Sequence, residues 1–437
     1  MEYLPNILFA IILVLGVGYF ARNIKKIIRN IKLGHEIDAS DHKSERWSNV
    51  LRIALGQSKM VKRPVSGFLH VIVYIGFVII NIEVLEIIID GIFGTHRIGQ
   101  EILPASVYGF LIGSFEILAV LVLVAVFVFW LRRNVIKVKR FLSSEMKGWP
   151  KNDGNIILYF EVVLMCLFLV MNATDTSFQS LASGNIVSQF IAPWFDGFSE
   201  TTLHTIERAA WWLHIVGILV FLNYLYFSKH LHILLAFPNV YFGSVEPKGK
   251  FNNLDAVTKE VKLMMDPDAD PFAAPAEEAE DEAPAKFGAS DVMDLSQIQL
   301  LNAYTCTECG RCTSACPANL TGKKLSPRKI MMDTRDRLEE VGKNIDANNG
   351  EFKEDGKQLL GDYITNEELW ACTTCNACVE ECPVSINPLS IILDMRRYLV
   401  MEQSAAPMEL NNMMTNIENN GAPWPYNQMD RLNWKDE

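Results

Sequence analysis

Apolar residues fall in long, nearly unbroken runs through the first half of the chain, at 4–20, 67–89, 107–131, 156–173 and 209–227. A bilayer core about 30 Å thick is crossed by about 20 apolar helical residues. Each run therefore predicts a membrane-crossing helix, the short first and fourth being completed by interfacial residues. The pattern then changes. Residues 244–295 read as a linker, and within it 266–285 (DPDADPFAAPAEEAEDEAPA) is acidic, rich in Pro and Ala, and almost free of large apolar groups. Such a segment cannot bury enough surface to fold and predicts a flexible tether. From 296 to 400 apolar positions return at helical spacing. Ile330, Met331, Leu338 and Val341 mark a helix over 327–341, and a second helix is expected at 367–370. The tail 401–437, with GAPWPY at 421–426, carries no chemistry of its own. In the stretch 47–62, Trp47, Leu51 and Leu55 share helical spacing among basic residues, which suits a helix lying on the membrane surface and equally an ordinary loop helix. The expected fold is all-α: a five-span helical bundle over 1–243, then a linker, then a helical domain.

Charge separates the same halves. Residues 1–243 hold 21 Lys+Arg and 17 Asp+Glu, net +4; residues 244–437 hold 19 and 34, net −15; the sum is the formal −11 of the chain. A single soluble domain would not divide in this way. The acidic second half also excludes nucleic acid as a partner, because phosphate would repel it. Between the first two runs, residues 21–66 carry eleven Lys/Arg, and 132–155 carry seven; 90–106 carries one, Arg97, and 174–205 none. By the positive-inside rule the basic loops face the cytoplasm. The N-terminus is then outside, and the second half lies on the cytoplasmic side of the inner membrane. The first run does not resemble a cleavable signal, because Arg22, Lys25, Lys26 and Arg29 follow it and no small-residue cleavage site is present.

Eight of the nine cysteines lie in the second half. Cys306, Cys309, Cys312 and Cys316 form C-x2-C-x2-C-x3-C followed by Pro317, and Cys372, Cys375, Cys378 and Cys382 repeat it before Pro383. This run ligates [4Fe–4S] clusters in two-cluster ferredoxins, where the fourth cysteine reaches the other cluster. Three thiolates two residues apart let one loop wrap three corners of a cubane, while the fourth leaves in a new direction. The expected ligand sets are Cys306, Cys309, Cys312 and Cys382 for one cluster, and Cys372, Cys375, Cys378 and Cys316 for the other. Zinc is the alternative, but it needs neither four cysteines per run nor a proline after each. Disulfides do not suit two tight clusters of this spacing. The ninth cysteine, Cys166, falls mid-run and is expected to be buried packing.

Histidines supply a second set of metal ligands. His70 opens the second run and His232 follows the fifth, at the same depth. His214 and His232 are eighteen residues apart, five turns and roughly 27 Å on one continuous helix. His70 and His232 are therefore candidate axial ligands of a haem b. For His214 the second run has no histidine at the matching depth; His96 is the preferred partner, with His204 as the alternative, giving one haem or two. The blander reading is that these are interfacial histidines beside Lys and Arg. Carboxyl groups inside spans are costly and default to function, which singles out Glu83, Glu86, Glu116 and Glu161; quinol oxidation releases protons that such groups would take.

The cysteine runs and the 55 residues between them resemble the α-helical dicluster ferredoxin of heterodisulfide reductase small subunits and succinate dehydrogenase iron–sulfur subunits. The segments 63–70 (RPVSGFLH) and 212–232, with His214 and SKHLH, resemble the five-span cytochrome b of respiratory nitrate reductase gamma subunits and the heterodisulfide reductase membrane subunit. The resemblance implies two stacked haems b, a quinone docking at one membrane face, and a soluble redox partner with a cysteine-rich domain. The absence of a second histidine in the second run departs from the nitrate reductase pattern. No nucleophile–base pair, phosphate loop or nucleotide fingerprint occurs, so the expected role is that of an electron-transfer subunit working between quinone and partner. The rivals are a haem-free membrane anchor for a dicluster ferredoxin, a redox sensor (for which no output module is visible), and, last, a transporter, for which no repeat or broken span is evident.

Overall fold

The computed structural model describes residues 3–181, 183–247, 249–267 and 286–436. Most of the expected tether, from 268 to 285, thus lies outside the described residues. Five helices are long and apolar enough to cross a membrane: Leu4–Ile31, Pro64–Phe93, Ala105–Asn134, Trp149–Thr174 and Glu200–Phe227. Proline in the first turn starts the first, second and fourth, where its missing N–H costs nothing. Each span packs on the next and the first closes on the fifth, so the five make a ring. Its interior is filled by Ile112, Phe115, Ala119, Phe168 and Ile215, all buried. The first and second spans approach closely at Gly91, where a Cβ would stand 2.6 Å from the Phe9 ring. Val14, Phe68, Phe110 and Phe127 point outward, as suits a lipid-facing surface. Cys166 is also exposed on the outside of the fourth span, contrary to the expectation of buried packing.

Two local features differ from the sequence pattern. The spans overrun the apolar runs, and the polar end of the first meets the second domain. Lys26 and Arg29, beyond the first apolar run, both pair with Asp346. The fifth span ends before His232. Asp153, on the fourth span, accepts hydrogen bonds from Tyr224 Oη (2.6 Å), Ser228 Oγ (2.7 Å) and Lys229 N (3.1 Å). These draw Ser228 into an extended conformation, and a new helix, His232–Phe242, starts beyond it. The five-turn register between His214 and His232 is therefore broken. In the first basic loop, Val50, Ile53 and Ala54 pack against Val240, leaving Trp47, Leu51 and Leu55 exposed as one outward stripe.

Beyond the bundle, Asp255–Met265 is helical within the expected linker. The last linker residues belong structurally to the second domain: Ala289, Val292 and Leu295 are fully buried. Buried Arg337 holds this entry segment, donating to Asp291 (2.7 Å) and to Asp355 (2.6 Å). The domain is built on the helix Pro327–Ala347, packed on Gln297–Thr305 and Pro388–Met401. Ile330, Met331, Leu338 and Val341 form its buried face. Among the described residues there is no strand, only isolated bridges at His35–Ser296 and Leu360–Ile364.

The second domain sits on the basic end of the bundle. Arg328, with no exposed surface, donates to Glu145 (2.6 Å), Ser143 Oγ (2.8 Å) and Arg140 O (2.7 Å) in the third-to-fourth loop. Asn30 donates to Tyr304 Oη at 2.9 Å, and Asn239 to Val384 O at 2.8 Å. Breaking a buried ion pair by removing one partner costs about 3–5 kcal/mol. Glu145→Ala is accordingly expected to loosen the docked domain by about that much, read as faster limited proteolysis of the two loops.

Candidate metal centres

The two cysteine runs share one local fold. Cys306 ends the helix Gln297–Thr305 and Cys372 follows the helix Asn366–Trp370. Two residues on, Glu308 and Thr374 have φ of 53° and 54°; four residues on, Gly310 and Asn376 have φ of 71° and 60°. These left-handed positions curl each loop so that its three cysteines face inward. Each loop runs into a five-residue helix, Arg311–Ala315 or Ala377–Glu381, and these two helices pack on each other.

That packing brings the last cysteine of each run toward the first three of the other. Cys306, Cys309, Cys312 and Cys382 line a single cavity, which Cys378 also borders. Burial pushes the Cys306 thiol up to about 12, with Glu308, Cys309 and Cys382 adding repulsion, and pushes Cys382 up to about 11, with Cys309 adding to it. In the other group, burial pushes Cys378 up to about 12, and nearby Cys372, Cys316 and Cys375 add to it. Thiols so placed cannot all ionise unaided; a multinuclear cation would both supply the charge and satisfy the sulfurs. Backbone N–H groups already point at two of them, Ile386 at Cys382 Sγ (3.2 Å) and Thr374 at Cys372 Sγ (3.4 Å).

The two groups differ in surroundings. The first faces the bundle. Arg311, beside Cys309, donates to Lys59 O (3.0 Å) and Met60 O (2.9 Å). The second opens outward, with Cys375 exposed. Arg396 lies by Cys372, bonded to Leu369 O (2.6 Å) and stacked 4.9 Å over Trp370. Glu308, inside the first loop, is clamped between Lys229 of the bundle and Arg335 (2.8 Å). Burial works against its charge, but Lys229 and Arg335 hold its carboxyl below the ordinary range. Periodicity gave no sign of this clamp, because its members come from three separate elements.

The histidines divide unexpectedly. His70 and His232 face each other across the basic end of the bundle, ring centres 6.4 Å apart. His232 Nδ1 lies 3.1 Å from Lys229 O, which leaves Nε2 free of that bond, while His70 Nδ1 is buried with no hydrogen-bond partner. The loop 59–61, gripped by Arg311, abuts Gly67, one turn before His70. The first cysteine group and this histidine pair thus lie on either side of one loop. His214 is buried, with Nδ1 3.0 Å from Leu164 O and its ring 6.3 Å from Phe168. The structure does not bring His96 to it. His96 Nε2 lies 3.4 Å from Asp175 and 4.0 Å from Glu207, and Glu207 is about 10 Å before His214 along the helix. His204 also turns to Glu207, at 3.8 Å. Contrary to expectation, neither His96 nor His204 stands opposite His214. The cause is Arg97: its N–H is held by Asp90 (2.8 Å) and its guanidinium by Asp175 (2.7 Å) and Asn172 (2.8 Å), which fixes the loop at the far end of the bundle.

Of the intramembrane carboxyls, Glu116 is a structural acceptor for Asn172 (3.0 Å), Val187 N (2.7 Å) and Ser188 N (3.0 Å). Glu86 accepts from Gly99 N at 2.9 Å and Tyr108 at 3.2 Å. Glu161 stands in the fourth span about 16 Å from Asn172.

Residues 305–386 match the family model of the 4Fe–4S dicluster domain. The chain contains a 4Fe–4S dicluster domain. Over 99% of its length it is 31% identical to the probable iron–sulfur-binding oxidoreductase FadF of Bacillus subtilis, and over 92% it is 26% identical to the EtfAB:quinone oxidoreductase of Syntrophomonas wolfei. It spans 61% and 55% of those two proteins. Part of the chain, 27%, is 34% identical to a subunit of the ferredoxin/F(420)H(2)-dependent CoB–CoM heterodisulfide reductase of Methanosarcina acetivorans, spanning 58% of that relative. No solved structure matches. The chain is thus related to iron–sulfur oxidoreductases, and its dicluster domain follows five apolar helices.

Proposed function

We propose that the protein carries electrons between a membrane quinone and a soluble redox partner, through a haem b in the bundle and two [4Fe–4S] clusters in the docked domain. The observation that carries this reading is the seating of the first cysteine loop on the bundle end that holds His70 and His232. The clusters are assigned to Cys306, Cys309, Cys312 and Cys382, and to Cys372, Cys375, Cys378 and Cys316. The first group lies toward the bundle and the second toward solution, where a partner with a cysteine-rich domain would meet exposed Cys375. Arginines beside both groups favour the added negative charge of the reduced state.

The residues fit a haem at His70 and His232. An iron between two imidazoles, each nitrogen about 2 Å away and each ring centre about 1 Å further, sets ring centres roughly 6 Å apart. The observed separation is 6.4 Å. A carbonyl at Nδ1, as on His232, is the usual outer partner of a metal-bound imidazole, and the orphaned nitrogen of His70 needs a partner. When bound, the haem supplies a one-electron carrier. His214 remains a candidate ligand for a second haem without a histidine partner among the described residues. The quinone end is supported by the relative from Syntrophomonas wolfei, which is named as a quinone oxidoreductase. The cluster domain is assigned to the cytoplasm on the basic loops that it covers.

A second reading, a haem-free anchor for a dicluster ferredoxin, is favoured by a probable membrane-anchored ferredoxin of Chromohalobacter salexigens, 35% identical over 35% of this chain and 25% of its own length. A dithionite-reduced spectrum with a pyridine haemochrome assay separates the two. The proposal expects a Soret band and at least one haem per chain; none would establish the anchor.

A further inference from the structure

The end of the bundle away from the cluster domain holds a second polar centre, which the electron route does not use. Glu83 lies in the second span about 15 Å from its end. It is 2% exposed, and its Oε2 has no hydrogen-bond partner. It borders a chamber shared with Glu86, Asp90, His96, Arg97 and Glu207. The chamber volume is ≈ 20 Å³. That is room for a single water, whereas an aromatic ring needs on the order of 150 Å³. The chamber, lined mainly by charged side chains, suits proton passage.

The charges around it are arranged for passage. Glu86 and Arg97 line the same chamber as Glu83. Burial opposes charge on Asp175, yet hydrogen bonds from His96 and the Arg97 guanidinium hold its carboxyl well below the usual range. Asp175 therefore stays ionised and fixes the wall. Arg208 Nε donates to the Glu207 carboxylate at 2.6 Å. Glu83, with one oxygen free, and His96, whose side chain is 44% exposed, remain as inner and outer ends.

We propose that Glu83, the chamber and His96 form a proton conduit between the membrane interior and the solution on the side opposite the clusters. This rests on the quinone reading. Oxidation of a hydroquinone to its quinone releases two electrons and two protons. The electrons leave toward the clusters; the protons pass to the Glu83 carboxylate, across the chamber to His96, and out. Quinone reduction would run the same path inward.

The test uses the full chain in liposomes containing a naphthohydroquinone, with ferricyanide outside as oxidant and a pH dye in the lumen. Only molecules with clusters outward are reoxidised, so the conduit expects luminal acidification. Glu83→Gln should slow both hydroquinone-driven cluster reduction and acidification by about a hundredfold, the lower end for losing a positioned proton carrier. Reduction of the clusters by dithionite should be unchanged. Wild-type rates in Glu83→Gln, or protons appearing outside, would overturn the conduit. If Glu83→Gln lacks its clusters, His96→Gln, on an exposed side chain, decides: severalfold slower acidification is expected, and an unchanged rate refutes the exit. A wild-type protein whose clusters hydroquinone cannot reduce fails the quinone reading itself, and the conduit falls with it.

Discussion

His70→Ala and His232→Ala are each expected to lower the Soret band by the haem proposed between them and to cut hydroquinone-to-cluster electron transfer by more than about a hundredfold, since disturbing even the outer partners of metal ligands costs about 10–100-fold. The reason is geometric. The two rings come from different elements, one from the start of the second span and one from the helix that begins after Ser228, yet they meet 6.4 Å apart. Burial of His232 disfavours its protonated imidazole, which is held below its ordinary value chiefly by desolvation. A neutral imidazole is the form that binds iron. His96→Ala is the contrasting variant. Its ring lies beside Asp175 and Glu207 at the other end of the bundle, so the Soret band should persist. Iron content serves as the folding control, because the eight clustered cysteines lie in the second domain. Retention of the full Soret band in both His70→Ala and His232→Ala would refute the ligand assignment.

What the sequence made legible follows the range of the interactions involved. The spans could be read because a run of apolar residues is a local property. Their ends could not, because Lys26 and Arg29 extend the first helix only by pairing with Asp346, more than three hundred residues away. The three-cysteine loops were likewise local, each closed by its own pair of left-handed residues. The histidine pair was found partly for a wrong reason. The register between His214 and His232 assumed one helix, and Asp153 breaks that helix by capturing Ser228 and Lys229. The pairing with His70 survives because both residues still lie at the same end of the bundle. His96 went astray because its loop is set by Asp90, Asn172 and Asp175, and no spacing joins those positions. Glu308, Lys229 and Arg335 were invisible for the same reason: each looks like a surface charge until the fold buries the three together.

The proposed exchange of the fourth cysteines predicts its own pattern in iron content. Two cubanes hold about eight irons, apart from haem. Cys306→Ser and Cys382→Ser should each lower this to about four, because both strike the same cluster. Their double variant should also retain about four. Cys306→Ser with Cys316→Ser strikes both clusters and should leave almost none. If each run instead held its own cluster, these results would be reversed: the pair within one run would keep half the iron, and the pair across runs would lose it all. The arrangement favours exchange because the helices Arg311–Ala315 and Ala377–Glu381 pack together, which carries Cys382 into the cavity of Cys306, Cys309 and Cys312 and sets Cys316 beside Cys372 and Cys378. The surviving cluster also differs between variants. Cys382→Ser keeps the one by exposed Cys375, which an aqueous oxidant should reach quickly. Cys316→Ser keeps the one pressed against the bundle, which should be reduced from the membrane side and reoxidised slowly. Equal oxidation rates in the two variants would mean that the clusters do not lie in series between bundle and solution.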